Sequence, residues 1–250
     1  MKIDQEYFYN SIATYYDQIF PLNGKQVSFV ESQFDNLKGL GLLDVGCSTG
    51  KLANELALKG SEVIGIDLNT EMINQAKRNF SSLNVRFKTA NMLDLDDEFP
   101  EALFDGIICF GNTLVHLSTM GDVSSFFHQA GKHLKPHGKL LVQILNYDYI
   151  LEHEITDLPL IDTNELGFIR KYDLPRKPGE KVVFNTELII KSTRDSHFHA
   201  SYLLPLKKTE IETLLLINGF PKVRFYSGFD KRPYSGHHLP LVFVAEKLEE

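Results

Sequence analysis

Between residues 40 and 146 short apolar runs alternate with stripes at helical spacing, and few folds accommodate that alternation. Leu42 to Val45 reads as a first strand. Leu52, Ala53, Leu56 and Ala57 then share one face of a helix that Gly60 is placed to end. Val63 to Ile66 is a second strand, and Asn69 or Thr70 can cap the following helix, through Asn79, by accepting a bond from a first-turn amide. Asn84 to Lys88 and Phe104 to Phe110 are third and fourth strands; the latter is apolar almost throughout, as suits a strand covered on both faces. Val123, Phe126, Phe127, Ala130 and Leu134 recur at helical intervals until Pro136 and Gly138 stop them, and Leu140 to Asn146 is a fifth strand. Thr209 and Glu212 form a capping-box signature around Ile211, Leu214 and Leu215, with Gly219 as the stop. Lys222 to Tyr226 and Leu241 to Ala245 complete the set. The expected fold is α/β: a doubly wound, mostly parallel seven-stranded sheet.

Two regions fall outside the alternation. Residues 1–38 look helical and carry a cluster of Tyr7, Phe8, Tyr9, Tyr15, Tyr16 and Phe20, which suggests a cap. Residues 148–205 hold three β-leaning runs, Gly167 to Tyr172, Lys181 to Lys191 and His197 to Leu204, parted by the turn-forming Pro175 to Gly179. They are expected to form an inserted antiparallel lid that binds an acceptor and offers a surface for pairing between copies. Residues 39–147 and 206–250 would then make up the main domain.

At 250 residues and 43% apolar, the chain can bury a full core. Its net charge of -7, with Lys and Arg scattered, argues against a phosphate-backbone partner. No run approaches the ~20 apolar residues that span a bilayer, and MKIDQEYFYN lacks the form of a secretory signal, so a cytoplasmic location is expected. Cys47 and Cys109 read as buried free thiols, and no metal site is expected.

Chemistry concentrates in LLDVGCSTG, Leu42 to Gly50, where glycines between a strand and a helix let backbone approach a ligand. A P-loop is excluded because Gly46 and Gly50 enclose only three residues and Leu52 follows Lys51. A dinucleotide fingerprint is disfavoured by Ser48, which stands where close approach to a pyrophosphate requires glycine, and with it a nicotinamide-dependent oxidoreductase. Gly46-Cys47-Ser48-Thr49-Gly50 also has the form of a hydrolase nucleophile elbow, but only about one strand's worth of pattern precedes it. Asp67, 21 residues after Gly46 at the end of strand two, supplies a carboxylate that can accept both hydroxyl protons of a ribose.

In order, DVGCSTG, VIGID, ANMLDL, FDGIICFGNTLVHL and LKPHGKLLV resemble the motifs of class I S-adenosylmethionine-dependent methyltransferases, over about residues 40–146. GNTLVHL and LNYDYIL are similar to the glycine N-methyltransferase branch, whose acceptors are small amines. The resemblance implies S-adenosylmethionine as cofactor. Gly46, Cys47, Ser48 and Gly50 would line its methionine part, Asp44 would sit near its ammonium and sulfonium, and Asp67 with Leu68 would hold the ribose. Asn91 stands where the family often has an acid and would meet the adenine amine, with Met92 on the adenine edge. Phe110 and Gly111 would lie beside the methionine group, and Tyr16 would reach its carboxylate. Asn112 and His116 are the candidate catalytic pair, facing the transferred methyl or the small-molecule acceptor. Tyr147, Arg170, Tyr172, His197 and His199 are candidate acceptor contacts, with Arg170, Tyr172 and Arg194 placed to meet a carboxylate. His197 and His199 are two apart on one strand and so share a face, read as a pocket wall. A non-catalytic module that kept the cofactor fold remains a third reading.

Overall fold

The computed structural model describes Tyr9 and residues 12–177 and 179–248; Tyr7 and Phe8 of the expected aromatic cap lie outside the described residues. A short 3-10 turn, Ala13–Tyr15, leads into α1 (Tyr16–Ile19) and α2 (Gly24–Glu31). Asn23 caps α2, its side chain accepting from the Lys25 amide while Gln26 reaches back to the Asn23 amide. The alternation then begins: β1 (Gly41–Val45), α3 (Lys51–Leu58), β2 (Glu62–Asp67), α4 (Thr70–Asn79), β3 (Val85–Thr89), α5 (Leu95–Glu98) and β4 (Phe104–Cys109). Gly60, at φ +98°, ends α3 in a Schellman arrangement in which its amide bonds Ala57 and the Ser61 amide bonds Leu56. Asn69, not Thr70, caps α4, accepting from the Met72 amide.

After a 3-10 turn at Thr113–His116 come α6 (Met120–His133), β5 (Leu134–Leu145), α7 (Tyr147–Glu152), β6 (Ile161–Asp162), β7 (Leu166–Asp173), β8 (Val182–Ile190) and β9 (Asp195–Leu203). The chain closes with α8 (Lys208–Ile217), β10 (Lys222–Tyr226) and β11 (Pro240–Glu246). Two sheets result. One has seven strands in the order β10-β11-β5-β4-β1-β2-β3, parallel except around β11, and the other has four in the order β6-β7-β8-β9, all antiparallel. The seven-stranded sheet is doubly wound. Leu43, Ile107, Leu140 and Val142 pack on one side with Val123, Phe126 and Phe127 of α6, while Leu42, Ile108 and Leu141 pack on the other with Leu52, Ala53 and Leu56 of α3. Each of the fully buried phenylalanines contributes about 1.5–3 kcal/mol of transfer free energy.

Two boundaries differ from the sequence expectation. β5 starts at Leu134, directly after α6, although Pro136 and Gly138 mark a break. Phe104 pairs with Leu134 and Gly106 with Lys139, so the intervening residues bulge out of the ladder, with His137 at φ +60°, and the proline's missing amide costs no ladder bond. At the start of α8 the expected Thr209 cap is absent: Glu210 accepts from the Lys207 amide, and Asp148 of α7 accepts from the Lys208 amide. A carboxylate brought by tertiary folding takes the place of a local cap. No helix among the described residues is long and apolar enough to cross a membrane.

Candidate active site

β1 ends in the glycine loop, and the loop is pinned to β2. The Gly46 and Cys47 amides both donate to the Ile66 carbonyl, at 2.8 and 2.9 Å. Gly46 lies at φ +72°, and a Cβ there would fall 2.5 Å from Thr113 Cγ2, so the position demands glycine on two counts. Ser48 follows at φ +47°, its amide donating 2.9 Å to one Asp67 carboxylate oxygen, while the other accepts from the Asn69 amide at 2.9 Å. Burial raises the Asp67 pKa, and these amides partly offset the rise.

Over this crevice lies a cavity of about 460 Å³. The carboxyl ends of β1 and β4 supply one wall: Asp44, Gly46, Cys47, Ser48, Phe110, Gly111, Asn112 and, beyond them, His116. Tyr16 and Asp17 close it from the N-terminal side, Asp17 accepting from the Thr49 hydroxyl at 2.6 Å and pairing with Lys51 at 3.2 Å. The four-stranded sheet supplies the facing wall, with Phe168, Arg170, Tyr172 and Phe184.

Asp44 is the outlier in this wall. It is 3% exposed, and its Oδ2 has no hydrogen-bond partner among the described residues. Burial, reinforced by the charge of Asp67, pushes its pKa up to about 7. His116 is pulled the other way, to about 4, by burial and by His199, so it is neutral at pH 7; the Tyr9 hydroxyl lies 3.5 Å from its Nε2. Tyr16 is held protonated by burial and bonds Ser48. Asn112, at φ +66°, accepts from the Leu145 amide at 2.9 Å and donates to the Tyr147 hydroxyl at 3.4 Å, which holds the loop after β4 rigid.

Of the residues singled out from sequence, Tyr16, Asp44, Gly46, Cys47, Ser48, Phe110, Gly111, Asn112, His116, Arg170 and Tyr172 are thus gathered on one cavity. The rest lie off its wall. Gly50, at φ +83°, packs against Phe87 and Ala76 behind the loop. Asp67, an exposed Leu68, Asn91 and Met92 follow the ends of β2 and β3 to one side, Asn91 accepting from the Leu93 amide at 3.2 Å. Tyr147 is fully buried behind Asn112, so the structure makes it a support for that residue and not a wall of the cavity. His197 and His199 share the face of β9 opposite exposed Phe198, and Arg194 sits exposed in the turn before that strand. Cys47 and Cys109 are buried free thiols.

Gln143, Thr113, Phe184 and Phe229 line the cavity without having been singled out. Gln143 left a trace, a lone amide in the apolar run of β5; its Oε1 accepts from the Gly111 amide at 2.9 Å. The phenylalanines carried no signal, since each is an apolar residue in an apolar neighbourhood.

Residues 42–138 match a family model described as "Methyltransferase domain". Over those residues the chain is similar to methyltransferase domains. A putative methyltransferase of Geobacillus sp. (strain WCH70) is 32% identical over 165 residues, 63% of this chain and 65% of that protein. Another, from Bacillus subtilis (strain 168), is 35% identical over 104 residues, 41% of each chain. The chain thus spans less than two thirds of the length of these curated relatives. In overall fold it is similar to a solved S-adenosylmethionine-dependent methyltransferase from Clostridium acetobutylicum ATCC 824, with a TM-score of 0.78 at 19% identity, covering 96% of this chain and 99% of that one. It is also similar to the CcbJ methyltransferase from Streptomyces caelestis, with a TM-score of 0.80 at 19% identity, covering 95% and 96%. Both likenesses extend past residues 42–138 to nearly the whole chain, the four-stranded sheet included.

Proposed function

We propose that this chain is an S-adenosylmethionine-dependent methyltransferase acting on a small-molecule acceptor held under the four-stranded sheet. The observation that carries the reading is Asp44, a buried carboxylate with an unpartnered oxygen on the cavity wall. Such a group is costly by itself and is stabilised by a cation. S-adenosylmethionine brings an ammonium and a sulfonium, so the residues present fit it. Asp44 would face those charges, and the loop from Gly46 to Ser48 with Tyr16 would enclose the methionine part. Asp67 spends two acceptor sites on backbone amides, and a carboxylate has about four, which leaves room for ribose hydroxyls. Asn91 and Met92 stand beside it for the adenine edge.

When bound, the cofactor supplies a methyl group on positively charged sulfur, open to in-line displacement by an acceptor lone pair. The chain's part is alignment and exclusion of water. Asn112, fixed by Leu145 and Tyr147, sets the floor on which the acceptor rests. Neutral His116 accepts a hydrogen bond from the acceptor and so orients its lone pair. Aromatic residues of β7 and β8 line the cavity, which supports reading residues 148–205 as the acceptor-binding lid. An amine acceptor is favoured by the likeness of GNTLVHL and LNYDYIL to the glycine N-methyltransferase branch.

Calorimetric titration with S-adenosylmethionine, S-adenosylhomocysteine and NAD tests this, with micromolar binding of the first two and none of the third as the expected result. Preference for NAD would end the reading in favour of an oxidoreductase. Turnover of cofactor with a panel of small amines separates an enzyme from a binding module, which would show none.

A further inference from the structure

We infer that the methyl acceptor is a small organic acid with an apolar body, its carboxylate bound by Arg170 at the lid end of the cavity. This rests on the cavity being a methyltransferase site.

Arg170 sits in mid-β7, between Phe168 and Tyr172 on the same face of the strand, and all three line the cavity. Across the ladder it pairs with Thr186 of β8, which pairs with His199 of β9, so one row of polar side chains crosses the sheet. The rows on either side are Phe168, Leu188 and His197, then Tyr172, Phe184 and Ser201. Along its own strand Arg170 is therefore flanked by the aromatic rings of Phe168 and Tyr172. One of its nitrogens donates to the Pro159 carbonyl at 2.7 Å, while its Nε is buried and has no hydrogen-bond partner among the described residues. No carboxylate among the described residues forms an ion pair with it. A guanidinium stays protonated at any working pH and presents a planar fork of donors that matches a carboxylate.

Among the described residues the other charged groups on the cavity wall are Asp17, Asp44 and Lys51, and Asp17 with Lys51 form a pair. Among the described residues the cavity thus has an unpartnered carboxyl at the glycine loop and, under the lid, a cation without an ion pair. A cofactor with its cationic groups at Asp44 has Tyr16 and the glycine loop at hand for its own carboxylate. The cation of the lid is left for the acceptor. Leu158, Phe168 and Phe184 around Arg170 call for an apolar body on that acid, and a cavity of about 460 Å³ shared with the cofactor keeps it small.

The test uses benzoate and phenylacetate against benzamide and phenylacetamide, titrated into the full chain saturated with S-adenosylhomocysteine. Wild type should bind each acid about tenfold or more tightly than its amide, the scale of a charge-assisted pair. Arg170→Gln should abolish that preference, Arg170→Lys should keep part of it, and both should bind S-adenosylhomocysteine as wild type does, which also shows that they fold. Equal binding of acid and amide by wild type, or a preference that survives in Arg170→Gln, overturns the proposal. So does loss of S-adenosylhomocysteine affinity in Arg170→Gln alone, since it places the guanidinium on the cofactor. Failure of wild type to bind S-adenosylhomocysteine instead removes the methyltransferase reading beneath it.

Discussion

The two sheets meet across one cavity, and they contribute to it by different means. The parallel sheet is covered on both faces: β4 is buried at every position but Asp105, and β1 at all but its first residue. It has no polar face to offer, so its groups on the cavity come from strand ends and from the turns that leave them, Asp44, Gly46 to Ser48 and Asn112. The four-stranded sheet is half exposed, with β9 alternating between solvent and interior. It delivers side chains from mid-strand, Arg170 and Tyr172 among them, on the face turned to the cavity. Backbone geometry fixes the first set, whereas strand register fixes the second.

That contrast predicts unequal tolerance. Gly46→Ala should have the largest effect, about 2–5 kcal/mol of stability, because a left-handed residue and a contact of 2.5 Å with Thr113 are both introduced. Urea denaturation measures it, and a loss under about 1 kcal/mol would show that the loop is softer than the strand ends it joins. Asp44→Asn should weaken S-adenosylmethionine by about 1.5–3 kcal/mol while leaving the cofactor-free protein as stable or more so, since it removes a buried carboxyl whose Oδ2 has no partner among the described residues. A fall in both quantities would mean that the carboxylate has a structural partner.

Acidity should separate the two regions further. With its pKa raised to about 7, Asp44 holds a proton in the folded protein that the unfolded chain releases at lower pH. Its contribution to stability is fully present below the unfolded value and lost as pH rises through about 7. A cation at Asp44 lowers that pKa, so cofactor binding should release a proton below pH 7 and tighten as pH increases. Calorimetry in two buffers of different ionisation enthalpy reads the proton directly. His116, beside the lid, has the opposite sense: its folded pKa of about 4 lies below 6.5, so stability falls as pH drops between those values. The smallest effect belongs to the outer face of β9, where Phe198 is 73% exposed and Phe198→Ser should change stability by no more than about 0.5 kcal/mol. A larger loss that depends on protein concentration would show a second copy covering that face.

Sequence reading reached unevenly into this molecule. The strands of the parallel sheet were legible within a residue or two, except that β5 began six residues early, because a bulge let Pro136 enter a strand. The cap of α8 was misplaced for a related reason, as its acceptor, Asp148, comes from another helix. The meeting of the glycine loop with Asp67 was legible because it is local: spacing along the chain sets their spacing in space. The partners of Arg170 were not. Arg170 and Arg194 look alike in sequence, yet one lines the cavity with a buried Nε and the other lies in a solvent-exposed turn.

By itself, the sequence determined the sheet, its crossover helices and the turn at Gly46, since apolar periodicity and the conformational freedom of glycine act over a few residues. The tertiary structure alone decided which charges lack a partner. Whether Asp44 or Arg170 is neutralised depends on residues far along the chain, and no local pattern encodes what fails to arrive there.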